Sequence, residues 1–413
     1  MTTIATPLME CRGCGATDLE MFVSLGKQPL ANHLTSREAL DQPDAHFPLE
    51  LVRCGHCGLV QLSVTIPPDA MFSEYLYFSS FAGALVENAR GLVERIVSER
   101  GFGPDDLAME IGSNDGYLLR HYVDRGVPVL GVDPARNVAA VAEQAGVRTH
   151  VAFFGSDTAA NLASEGFKAS VVHANNVIAH VPDILDVLAG VTQILRPNGI
   201  FVVETPSLQT MFETLAFDTI YHEHVFVHSL TNFSSLLSKV GLEVIDVELI
   251  PVHGTSLRIT AAHPGRQEPT SRVAAQLTSE LDSGLGDPET YRTFGKNTDA
   301  IRTSIIATLQ DLKRDGATIA GYGAAAKCTV LLNSLGVSGR LPIWVADANP
   351  HKQGRCIPGV RVPVVSPDRI LEEQPDVMVL FVWNLLDEVL KQNAEYRSRG
   401  GRFLIPIPAP KVV

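Results

Sequence analysis

The chain has 413 residues, 45% hydrophobic and 19% charged, the make-up of a globular protein too long for one ordinary core. Its formal net charge of -13 argues against nucleic acid as the main partner, because a phosphate backbone rewards a basic surface. No apolar run reaches the roughly 18 residues of a membrane-spanning helix. Met1 to Glu10 also lacks the basic and apolar regions of a signal peptide, so a cytoplasmic protein without membrane contact is expected.

Four of the six cysteines form two pairs, Cys11/Cys14 and Cys54/Cys57, each a C-x-x-C turn followed by glycine. Two thiolates on a tight turn can take two corners of a tetrahedron, and the second turn supplies the others. Residues 1–68 therefore read as a module holding a structural zinc ion. Four cysteine ligands would fill the coordination sphere, leaving no open position for catalysis. The competing reading, a redox pair, lacks the thioredoxin-like helix after either turn. His33, His46 and His56 read as loop histidines. The next stretch, Met71 to Phe81, is rich in aromatic and hydroxyl side chains. It is either a packed linker or a lid whose tyrosines, Tyr75 and Tyr77, reach a neighbouring pocket. A helix is expected at about 82–100.

From residue 107 strands and helices alternate, as in a parallel α/β sheet. Strands are expected at 107–111, 129–132, 148–150, 169–174 and 199–204, then an antiparallel hairpin from 242–250 and 255–263. Five parallel strands closed by a hairpin suggest the class I fold of S-adenosylmethionine-dependent methyltransferases. The first strand ends in Glu110-Ile111-Gly112-Ser113-Asn114-Asp115-Gly116, a glycine turn that lets a ligand approach the backbone. Asp133, after the second strand, is placed to accept from ribose hydroxyls. Asn114 and Asp115 suit an ammonium group better than a pyrophosphate, and Asp115 reads equally as a helix N-cap. Phe153 either covers an adenine or packs in the core. Asn175, Asn176 and His180 follow the fourth strand, at the end where such sheets bind ligands.

Tyr221-His222-Glu223-His224 concentrates chemistry in four residues. On an extended segment His222 and His224 would share a face. The favoured role is a histidine general base, since imidazole suits proton transfer near neutral pH; a second metal is the alternative. Residues 265–315 read as mostly helical. A second, smaller Rossmann-like unit follows, with strands expected at 317–321, 343–346, 376–381 and 402–406. Its Gly321-Tyr322-Gly323-Ala324-Ala325-Ala326-Lys327 run opens a helix.

Together the two cysteine knuckles, Tyr75 to Ser80, Glu110 to Gly116, Asn176 to Pro182, Tyr221 to His224 and Gly321 to Lys327 resemble the zinc-containing sugar C-methyltransferases of deoxysugar biosynthesis, over nearly the whole chain. The resemblance implies S-adenosylmethionine as methyl donor and a dTDP-linked 4-keto-deoxysugar as acceptor, methylated most often at C-3. It implies that His224 is the base beside the ketone, with Tyr75, Tyr221, Glu223 and His180 as helpers. Tyr77, His222, Tyr322 and Lys327 are then expected to contact substrate, Lys327 as counter-charge to the diphosphate at a helix N-terminus. Glu223 could bind a sugar amine or hydroxyl, or orient a histidine. The expected division is a zinc module at 1–68, a methyltransferase domain at 69–264 and a C-terminal domain at 265–413, in a monomer. C-5 methylation, a nicotinamide-dependent oxidoreductase and a non-catalytic zinc scaffold are the competing functions.

Overall fold

The structure, a computed structural model, describes residues 5–72, 78–251, 254–336 and 341–413. The N-terminal sheet contains β1 (Leu19–Gln28), β2 (Phe47–Cys54) and β3 (Val60–Leu62), paired antiparallel in sequence order. After helix α1 (Gly83–Arg100) comes the large sheet: β4 (Ala108–Ile111), β5 (Val129–Val132), β6 (Thr149–His150), β7 (Ala169–Asn175) and β8 (Leu195–Pro206). The chain then leaves that sheet. A two-residue strand, β9 (Phe226–Val227), pairs antiparallel with β3 and completes the N-terminal sheet in the order β9-β3-β2-β1. Strands β10 (Glu243–Ile250) and β11 (Ser256–Ala262) return to the large sheet as the expected hairpin.

The large sheet runs β10-β11-β8-β7-β4-β5-β6, with β11 alone antiparallel to its neighbours. This is the class I methyltransferase arrangement expected from the sequence. All seven residues of β7 are buried, as a central parallel strand covered on both faces requires. Strand order reverses between β4 and β7, and the carboxyl ends at that switch point form the natural crevice.

Residues 265–315 form two helices, α2 (Ser271–Asp282) and α3 (Pro288–Arg314). In α3 the buried Tyr291, Phe294, Thr298, Ile301, Ile305 and Leu309 recur every three or four residues, one apolar stripe. Asp287 caps it by accepting from Glu289 N, and Pro288 takes the first turn, where a missing N–H costs nothing. The stripe lies on β1. At Gly295 a Cβ would come within 2.0 Å of Phe22 O, so glycine is what permits that approach.

The C-terminal sheet contains β12 (Ile319–Tyr322), β13 (Val345–Ala346), β14 (Val364–Val365), β15 (Val377–Leu380), β16 (Arg402–Ile405) and β17 (Lys411–Val412). Its order, β14-β13-β12-β15-β16-β17, reverses between β12 and β15, a second switch point. One apolar core joins Phe22, Leu49 and Leu51 of the N-terminal sheet to Ile305, Val345 and Val379. Another joins Cys11, Cys54 and Leu59 to Met109, Phe226 and Phe233. The cysteine module thus shares cores with both larger sheets. Among the described residues no helix is long and apolar enough to cross a membrane.

Candidate active site and metal centre

The ligand atoms of Cys11, Cys14, Cys54 and Cys57 lie within 4.8 Å of one another, with Sγ–Sγ separations of 3.6 Å for Cys11–Cys57 and Cys14–Cys54. A tetrahedron with zinc–sulfur bonds of about 2.3 Å has edges near 3.8 Å, so four thiolates here fit zinc. Gly15 and Gly58, after the two turns, have φ of +73° and +71°. That left-handed conformation lets Gly15 N and Gly58 N each bond back to the first cysteine carbonyl of its turn. Gln61 Nε2 donates to Cys11 Sγ at 3.3 Å. The second knuckle is the turn of the β2–β3 hairpin, whereas the first is a loop entering β1.

One cavity of about 730 Å³ connects the two switch points. At one end its wall is made by residues at or after the ends of β4, β5, β6 and β7: Gly112, Asn114, Asp133, Phe153, Asn175 and Asn176. At the other it is made by residues after β12, β13 and β15: Ala325, Ala326, Lys327, Lys352 and Asn384. His180, Thr219, Tyr221 and His224 lie along the same wall.

The first end fits S-adenosylmethionine on the chemistry of its donors and acceptors. Gly112 has φ +64°, and a Cβ there would meet Val177 Cγ2 at 2.5 Å. Asp133 is 5% exposed; its oxygens accept from Asn114 N and Ala135 N, each at 2.8 Å, which fixes the carboxylate and leaves lone pairs for a ribose. Burial raises the Asp133 pKa above the usual carboxylate range, against the pull of those two N–H groups. Asn175 Oδ1 is buried with no hydrogen-bond partner among the described residues, a waiting acceptor. Phe153 is half-exposed at the rim. Asp115 sits outside the wall. Its Oδ2 accepts from Ser80 N at 3.1 Å, while Asn114 Oδ1 accepts from Ser79 N at 2.9 Å. The N-cap reading of Asp115 fails, because regular helix begins only at Arg120, after several turns.

In the middle, His224 Nδ1 is 2.8 Å from Thr219 O, which can only accept, so Nδ1 carries the hydrogen. Nε2 then holds a lone pair, and Tyr221 Oη donates to it at 2.6 Å. His180 lies ring to ring with His224 at 5.0 Å and stacks on Phe72 at 5.7 Å. Burial lowers the His180 pKa to about 4, so its ring is neutral near pH 7. His222 and His224 do not share a face. A turn at 222–223 replaces the expected extended segment. His222 is 1% exposed, donates from Nε2 to Pro48 O at 3.1 Å and packs edge-on to Phe47, away from the cavity. Glu223 is 5% exposed and accepts at Oε1 from Asn32 Nδ2 at 2.7 Å. Tyr75 and Tyr77 fall outside the described residues.

At the far end, Lys327 is in the first turn of a helix over Ala326–Ser334. Its ammonium lies 4.3 Å from the Trp383 ring centroid and donates to Asn384 Oδ1 at 3.3 Å. Burial lowers its pKa, and the buried Asp218 carboxylate partly offsets this. Lys352 donates to Ala324 O at 2.9 Å and pairs with Asp347 at 3.6 Å. Tyr322 points elsewhere, its hydroxyl donating to Gln392 at 3.1 Å. Asn32, Thr219, Lys352 and Asn384 were not anticipated from sequence. Lys352 and Asn384 follow β13 and β15, so the rule that ligands gather at strand carboxyl ends could have found them; nothing local marks Asn32.

The chain matches family models described as "Putative zinc binding domain" at residues 11–72, "Methyltransferase domain" at 86–247 and "C-methyltransferase C-terminal domain" at 251–408. It is 38% identical to the C-methyltransferase NovU of Streptomyces niveus over 414 aligned residues, covering 100% of this chain and 99% of that one. It is 35% identical over 101 residues to a ubiquinone biosynthesis O-methyltransferase of Azorhizobium caulinodans, covering 24% of this chain and 39% of that one. Among solved structures, magnesium protoporphyrin IX methyltransferase from Synechocystis aligns with a TM-score of 0.34 at 14% identity, covering 43% of this chain and 79% of that one.

Proposed function

Because the chain belongs to the S-adenosylmethionine-dependent C-methyltransferases, we propose that it methylates the carbon beside the ketone of a dTDP-linked 4-keto-deoxysugar, at C-3, with C-5 across the ketone as the competing position. The observation that carries this reading is the single cavity. It runs from the Gly112–Asp133 crevice to Lys327 and Lys352, with His224 between. A donor and a nucleotide-linked acceptor would enter from opposite switch points and meet at the base. Residues 1–68, 69–264 and 265–413 would serve zinc binding, donor binding and nucleotide binding respectively.

S-adenosylmethionine supplies an electrophilic methyl group when bound. Gly112, Asp133, Asn175 and Phe153 hold and orient it. Lys327, Lys352 and the helix N-terminus at Ala326 favour a diphosphate. With Nδ1–H tied to Thr219 O, His224 Nε2 takes the proton from the carbon beside the ketone. Tyr221, whose hydroxyl donates to that nitrogen at 2.6 Å, would exchange this bond for one to the acceptor on substrate binding. The neutral His180 ring can donate to the ketone oxygen as charge develops there. Holding the nucleophilic carbon at reacting distance supplies much of the remaining acceleration.

The test is deuterium wash-in from heavy water into dTDP-4-keto-6-deoxyglucose, with NMR of the methylated product. Wild type is expected to exchange one carbon beside the ketone and to methylate that same carbon; His224→Asn is expected to do both roughly a hundredfold or more slowly. Equal exchange by the variant, or methylation at a heteroatom, would refute the reading.

A further inference from the structure

We propose that Asn32, reaching in from the cysteine module, reads a hydrogen-bond-donating substituent of the acceptor, and that Glu223 acts through it as a positioning residue. The inference rests on the function proposed above and names a specificity element within it.

Glu223 is not on the cavity wall; Asn32 is. The side chains meet at 2.7 Å, Asn32 Nδ2 donating to Glu223 Oε1. A carboxylate accepts only, so the pair admits one amide orientation: nitrogen toward Glu223, carbonyl oxygen away from it. Without Glu223 the amide could present either end. With it, the group standing between the carboxylate and the cavity is polarised as an acceptor. With its oxygen turned from Glu223, the amide offers the cavity an acceptor, which favours a hydroxyl or ammonium group over a carbonyl or ether at the same position. The backbone beneath is fixed. Ala31 is 4% exposed and its carbonyl accepts from Thr329 Oγ1 at 2.9 Å, across the junction with the C-terminal domain. Asn32 therefore sits where the three segments meet, on a loop pinned by its neighbours.

The experiment compares wild type, Asn32→Ala, Asn32→Asp and Glu223→Gln on a nucleotide-linked 4-keto sugar and on analogues each lacking one ring hydroxyl. Binding of S-adenosylhomocysteine by calorimetry serves as the check on folding. With the full acceptor, KM is expected to rise roughly tenfold in Asn32→Ala, the loss of one well-placed hydrogen bond, and further in Asn32→Asp, where two carboxylates adjoin. Donor affinity stays within about twofold throughout. On one deoxy analogue, wild type and Asn32→Ala are expected to have the same KM. Glu223→Gln, whose amide can donate as well as accept, is expected to discriminate less between the full acceptor and that analogue. An unchanged KM in Asn32→Ala, or a parallel loss on every acceptor, overturns the proposal while leaving the C-methyltransferase reading intact. Failure of wild type to methylate any nucleotide-linked 4-keto sugar rejects that reading and this inference with it.

Discussion

Two histidines two residues apart, His222 and His224, differ in what their hydrogen bonds allow. Both rings have one nitrogen on a backbone carbonyl, but His222 is sealed against Phe47 and Pro48, whereas His224 lines the cavity with its Nε2 on the Tyr221 hydroxyl. Local sequence marked the cluster, and the resemblance implied His224 as the base. Spacing alone put both rings on one face, because a turn as short as 222–223 leaves no periodic signal. His224→Asn is expected to lower kcat by roughly 10²–10⁴-fold, the usual contribution of a general base. Tyr221→Phe, which removes one hydroxyl from the same nitrogen, is expected to lower it about tenfold. Steady-state methylation rates, with S-adenosylhomocysteine affinity as control, check both. Asn32 shows the limit of reading at this scale. Its partner Glu223 is 191 residues away, and no spacing rule links them.

Regular elements were more legible. The five parallel strands and the hairpin of the large sheet appear within a few residues of expectation, since buried apolar runs and glycine breaks are local signals. The two-residue β9 was not foreseen, because a segment that short has no periodicity. The glycine turn after β4 gives an element-scale prediction. Gly112→Ala places a methyl group against Val177 and forces alanine to a positive φ, at a cost of roughly 1–2 kcal/mol before the clash. S-adenosylhomocysteine affinity is expected to fall by roughly tenfold or more, measured by calorimetry. Cys54 ends β2, β3 begins at Val60, and Leu62 N bonds to Val225 O next to the Tyr221–His224 loop. Chelation is expected to lower Tm and to reduce turnover more than donor affinity, as read by thermal melts beside calorimetry.

At the scale of the molecule, apolar cores tie the cysteine module to both sheets, and several histidines are buried in or between them. Burial lowers the pKa of His180, His222 and His228 to about 4 and that of His173 to about 3. Their unfolded values lie near 6.5. Between those limits the unfolded chain binds more protons, so stability falls as pH drops from about 6.5 toward 4, by about 1.4 kcal/mol per pH unit for each such histidine. Tm measured across that window should fall, and His228→Gln should make the slope shallower by about one proton. That the cores are shared could not be read from composition, which gives size but not which faces meet. The pairing of β9 with β3 also bears on how the chain is made. During synthesis β3 emerges more than 160 residues before the strand that covers it, and until then its backbone is an open sheet edge able to pair with another chain. A fragment ending at Pro68 would keep that edge permanently, so it is expected to self-associate even when its four cysteines hold zinc. A version extended through Val227 restores the covering strand only if the intervening residues 69–225 fold with it.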